Sequence, residues 1–139
     1  MTHRLRVALL GAGKMAIQHA AAIRHCDRAD LVAVVDPAVP AAEIQSRFGA
    51  DIATFVDLAT MLASAKPDVV HVVSPPDTHA ELARTCLEAG AHVYVEKPFA
   101  LTTADAESIL DLAAAKGLRA CAAHQVLFQD SAQAYRQYV

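Results

Sequence analysis

Three short stretches of this chain carry residue types whose spacing can do chemistry. The first is Gly11-Ala12-Gly13-Lys14-Met15-Ala16, which has the spacing G-x-G-x-x-A. Gly11 permits a tight turn, Gly13 has no Cβ and lets a pyrophosphate approach the backbone, and Ala16 is small enough for a following helix to pack closely. The amides of Lys14, Met15 and Ala16 would then point at phosphates from a helix N-terminus. Asp36 lies 20 residues after Ala16. A carboxylate there accepts hydrogen bonds from ribose hydroxyls and repels a 2′-phosphate, so it favours NAD while leaving NADP possible. A plain turn and a strand-end cap would explain the glycines and Asp36 separately, but not their register with a strand before and a helix after.

The second stretch is Ser74-Pro75-Pro76-Asp77-Thr78-His79. Its prolines stiffen a loop and offer an apolar wall to a flat ring. A strand stop followed by a helix cap accounts for Asp77 and Thr78, and His79 also reads as a first-turn helix residue bonded to backbone. The third is Glu96-Lys97-Pro98. A lysine at a strand end can hold a substrate hydroxyl or pass a proton; an exposed Glu–Lys pair is the alternative.

The elements that would position these residues alternate. Strands are expected at 6–10, 31–35, 52–55, 69–73, 92–95 and 118–123. Helical stripes run between them: one from about Lys14 to His25, one opening near Pro40 and stopping at Gly49, and one capped by Asp57. Thr78–Glu81 and Thr102–Asp105 have capping-box spacing, and Asp130 or Ser131 opens a last helix. Six alternations predict an α/β fold with a doubly wound, mostly parallel sheet and helices on both faces. Ligands bind such sheets beyond the carboxyl ends of the strands, where all three stretches fall.

Composition narrows the function classes. Of 139 residues 55% are hydrophobic, enough for one packed domain without staples. Twelve Lys and Arg against 15 Asp and Glu leave a net charge of −3, which argues against nucleic acid as the partner. No apolar run is long enough for a membrane span or a secretory signal. Cys26, Cys86 and Cys121 form no C-x-x-C and read as reduced, largely buried thiols of a cytoplasmic protein. The seven histidines show no metal-ligand spacing, so no metal site is expected. His71 reads as a hydrogen-bonded core residue.

The order GAGKMA, VVDPA and SPPDTHAELARTCLEAGAHVYVEKP resembles the Gfo/Idh/MocA oxidoreductases, the glucose–fructose oxidoreductase and inositol dehydrogenase group, over nearly the whole chain. The resemblance implies a Rossmann domain binding NAD or NADP, and hydride transfer to or from a hydroxyl- or carbonyl-bearing carbon of a sugar, cyclitol or similar small molecule. By that match Lys97 falls on the catalytic or substrate-orienting lysine and Glu96 on its motif partner. Ser74, Pro75, Pro76 and His79 fall on the segment lining the nicotinamide side. Gln125 matches a family Asn or Gln, whereas Leu127 stands where the family has Arg. The implied organisation is a dinucleotide-binding domain over 1–125 and the start of a linker helix over 126–139. A second domain, which in the family adds an Asp, a His, the substrate contacts and the oligomer interface, would follow. This chain alone is therefore expected to be inactive, with self-association or the missing domain covering an apolar face. The alternative is a non-catalytic dinucleotide-binding or assembly module.

Overall fold

Short β-branched runs separated by helical stripes leave the chain one way to bury both faces of its strands: a parallel sheet between two helical layers. The computed structural model, which describes residues 4–135, has that arrangement. In chain order the elements are β1 Leu5–Leu10, α1 Lys14–Arg24, β2 Ala29–Val35, α2 Ala41–Phe48, β3 Ala53–Phe55, α3 Leu58–Ala65 and β4 Val69–Val72. They continue with α4 His79–Glu88, β5 His92–Val95, α5 Thr103–Ala115, β6 Ala120–Ala122 and α6 Asp130–Tyr135. Short 3-10 turns lie at Pro76–Thr78 and Gln125–Phe128. The strands pair in the order β3-β2-β1-β4-β5-β6, all parallel. The order reverses between β1 and β4, so their carboxyl ends part there.

Alternation along the strands divides the core. Ala8, Leu10, Val70, Val72, Val93 and Val95 face α3, α4 and α5, against Met61, Ala83, Leu87 and Ile109. Val7, Leu9 and Val34 face α1 and α2, against Ala16, Ala20, Ile23, Ile44 and Phe48. A shift of register between Val7 and Ala8 leaves Val32 without a partner on β1. Asp57 and Thr102 cap α3 and α5, each accepting from the amide three residues on. Gly49 ends α2 at φ +110°, as expected of a stop glycine.

Among the described residues the second helical layer stops short. Leu9, His71, Tyr94 and Cys121 are successive cross-strand neighbours on β1, β4, β5 and β6. Leu9 is covered, but beyond His71 the sheet lines a groove of about 420 Å³ with Ile23, Cys26, Val69, Tyr94 and Cys121. This corrects the expectation of three largely buried thiols: Cys26 and Cys121 are exposed and only Cys86 is buried. Cys26 lies just past the end of α1, and Cys121 lies on the edge strand, on the face that no described helix covers.

Thr78 departs from its expected role too. It makes no cap bond to the α4 amides. The Pro75-Pro76 pair starts a 3-10 turn, and the Thr78 hydroxyl donates to Pro75 O instead. Strand β6 covers three residues of the expected six, and β2 begins two residues early. Among the described residues no helix is long and apolar enough to cross a membrane. Residues 136–139 of the expected linker helix, Tyr138 included, lie outside the described residues.

Burial pushes the Cys86 thiol up to about 12, so little thiolate forms near neutrality. A thiol reagent should label Cys26 and Cys121 rapidly in the native protein and Cys86 only after denaturant is added. Mass spectrometry of the labelled peptides reads the result.

Candidate functional site

The glycine-rich turn joins β1 to α1 at the point where β1 and β4 part. Gly11 has φ +110°, and a Cβ there would lie 2.8 Å from Val73 O, so both conformation and space require glycine. Its amide donates to Val35 O, and the amide of Val73 donates to Leu10 O, which fixes the turn between the two strand ends. At Gly13 a Cβ would meet nothing within 4 Å. The chain does not need glycine there for its own packing; the space lies open to whatever occupies the cleft. Ala16 is buried beneath the first turn of α1.

Asp36 ends β2 and holds this turn from the other side. Its Oδ2 accepts from the Ala12 amide at 2.9 Å, and its Oδ1 accepts from Ala38 and Val39 at 2.8 and 3.0 Å. A carboxylate offers about four lone-pair positions, so roughly one stays open for a hydroxyl where two ribose contacts were expected. Arg47, remote from Asp36 in sequence, reaches the same turn: its Nη1 donates to Ala12 O at 3.2 Å, and its Nη2 pairs with Glu43.

These groups edge a cleft of about 790 Å³ lined by Gly11, Gly13, Lys14, Met15, Asp36, Ser74 and Pro75, with Val56, Leu58 and Leu82 on its apolar side. Helix α1 opens onto it with no capping side chain and no acidic residue in its first turn. The unpaired first-turn amides and the helix dipole therefore favour an anion there. An open Gly13, uncapped amides and a carboxylate at the second strand end fit a dinucleotide.

The other expected site residues do not line that cleft. Pro76 and Lys97 are exposed nearby, past the ends of β4 and β5. His79 is buried: Nε2 contacts Ser74 O and Nδ1 contacts Pro98 O, each at 2.8 Å. It thus ties the Ser74 loop to the Lys97 loop and presents no face to a ligand. Glu96 is buried as well. Its Oε2 accepts from the Lys97 amide at 3.0 Å, its Oε1 meets His19 Nε2 at 3.0 Å, and Gln125 Nε2 reaches Oε1 at 3.4 Å. His19 was not singled out from the sequence. It lies on the buried stripe Ala16, His19, Ala20, Ile23 of α1, and a lone polar residue on an apolar stripe was the available signal. Its Nδ1 lies 3.0 Å from His71 Nδ1, with Tyr94 packed on both rings. Among the described residues no group of three metal-ligating side chains converges.

Residues 5–124 match the model of the Gfo/Idh/MocA oxidoreductase family with NAD-binding Rossmann fold. The chain belongs to that family. It is 40% identical over 111 residues to the D-glucoside 3-dehydrogenase of Escherichia coli, covering 78% of this chain and 31% of that protein. It is 35% identical over 130 residues to a 4-carboxy-2-hydroxymuconate-6-semialdehyde dehydrogenase of a Sphingobium species, covering 93% and 41%. Its fold superposes on the scyllo-inositol dehydrogenase of Lactobacillus casei, solved with NAD(H) and scyllo-inositol, with TM-score 0.86 and 28% identity. That match covers 96% of this chain and 40% of the other. The chain thus spans well under half the length of these relatives.

Two outcomes follow from the geometry. Gly11→Ala meets both left-handed strain and overlap with Val73, each worth about 1–3 kcal/mol, and should lower unfolding free energy by several kcal/mol in urea titration. His71 is pushed down to about 3, chiefly by burial and then by His19. The unfolded chain takes up that proton below about 6.5 and the folded one does not, so stability should fall with pH through that window, by at most about 1.4 kcal/mol per pH unit. Urea unfolding at about pH 7 and about pH 5 measures the slope, and His71→Gln should flatten it.

Proposed function

We propose that this chain is the cofactor-binding part of an oxidoreductase that moves hydride between nicotinamide and a hydroxyl- or carbonyl-bearing carbon of a sugar, cyclitol or related small molecule. The observation that carries the proposal is the cradle at Gly13, open in front of uncapped amides and flanked by Asp36. Gly13 and the amides of Lys14, Met15 and Ala16 would hold the pyrophosphate, and Asp36 would take a ribose hydroxyl. The bound nicotinamide is the hydride donor or acceptor. Ser74, Pro75 and Pro76 would line its ring, with His79 holding that loop in place and Gln125 beside Glu96. Lys97 then holds the substrate oxygen and passes its proton as the C–H bond forms or breaks.

The relatives support the reaction class. Their substrates differ, a glucoside in one name and a semialdehyde in another, so the shared element is the reacting carbon and its oxygen. NAD is favoured over NADP because Asp36 is acidic and Arg47 is already paired with Glu43. The relatives' greater length supports a second domain after the linker helix, the source of the remaining substrate contacts, and so little turnover by this chain alone. Three free thiols support a cytoplasmic setting.

Calorimetry should show saturable heat when NADH is added to the folded chain. Gly13→Ala should keep the wild-type melting temperature and weaken NADH binding at least tenfold, because its added methyl meets no protein atom and enters the phosphate site. Equal NADH affinity in the two proteins, or no heat with a folded sample, would rule the cradle out.

A further inference from the structure

Glu96 is a buried carboxylate, 5% exposed, so protein groups rather than solvent hold its orientation. Two groups grip Oε1: His19 Nε2 at 3.0 Å, from the opposite side of the molecule's switch point, and Gln125 at 3.4 Å. With that oxygen held, Oε2 receives the backbone N–H of Lys97. The grip therefore sets where the Lys97 main chain leaves β5. Because a carboxylate only accepts, Nε2 of His19 carries a proton. The remaining contact, His19 Nδ1 to His71 Nδ1, holds one proton between two nitrogens. His71 is half-buried with Tyr94 packed 4.9 Å away, and the His19 ring stands edge-on to His71 at 81°. His19 thus cannot turn its ring without breaking the buried bond to Glu96 on one side and the half-buried contact with His71 on the other.

We propose that His19 is a positioning residue for Lys97, acting through Glu96, with His71 locking the orientation of its ring. The proposal rests on the catalytic reading of Lys97. It also links two successive turns of α1, the first facing the cofactor cleft and the second supporting the lysine loop. Cofactor binding and placement of the lysine are thereby carried by one helix.

The test compares His19→Leu, His19→Gln and Lys97→Ala in the oxidoreductase that carries this chain. Leu removes both contacts, whereas Gln keeps an N–H donor near the position of Nε2. His19→Leu should lower kcat roughly ten- to a hundredfold, the range for removing a group that orients a functional side chain, with KM for NAD unchanged. His19→Gln should recover most of that loss. Wild-type kcat in His19→Leu, or a parallel change in kcat, NAD affinity and melting temperature that Gln does not rescue, would overturn the proposal. Lys97→Ala separates the two claims. If it leaves kcat unaltered, the catalytic reading of Lys97 fails and this inference with it. If it abolishes turnover while His19→Leu retains the wild-type rate, only the positioning role fails. Should His19→Leu not fold, nitrogen-15 NMR of the unsubstituted chain decides: a proton on His19 Nε2 that responds to Glu96→Gln supports the grip, and an unprotonated Nε2 contradicts it.

Discussion

The close approach of Gly11 to the end of β4 governs the rest of the site. With no side chain at that position, β1 can turn sharply against Val73 and deliver α1 at the gap between the two central strands. The direction of α1 then decides three things together. Its uncapped amides face the cleft, its buried stripe covers β1 and β4, and His19 on that stripe reaches Glu96. Asp36 reinforces the turn by accepting the Ala12 amide, so the same carboxylate that would read a ribose also holds the phosphate loop. Shape and recognition here rest on shared bonds.

Much of this was legible in the sequence because parallel sheets bury both faces. Near-continuous apolar runs such as 69–73, interrupted only by His71, admit few other folds, and glycine and proline punctuate them. Gly11, Gly13 and Asp36 could be placed because a strand-turn-helix puts them in one corner whatever the detailed packing. Asp57 and Thr102 cap as read, since capping is a local affair of three residues.

What escaped the sequence was set by contacts between distant segments. His19 meets residues 52 and 77 positions away, on β4 and at the end of β5. Local pattern shows only that a polar group sits on an apolar stripe. Cys121 sits between two alanines like a buried thiol, but coverage depends on which helices pack where, and none described lies over β6 on that face; Cys26 stands between His25 and Asp27, polar flanks that agree with its exposure. Thr78 has capping spacing, yet the preceding prolines impose a 3-10 turn that redirects its hydroxyl. Arg47 illustrates the same limit: three-dimensional proximity to Ala12 has no counterpart in sequence distance.

The carboxyl ends of the strands carry the residues proposed for the chemistry, and the helix holds them in register. The most direct test of that division is the structure of this chain bound to NAD(H). The pyrophosphate should lie over Gly13 and the first-turn amides of α1, a ribose hydroxyl at Asp36, and the nicotinamide ring beside Pro75, Pro76 and Lys97. Cofactor bound elsewhere, for instance in the apolar groove between His71 and Cys121, would contradict that placement.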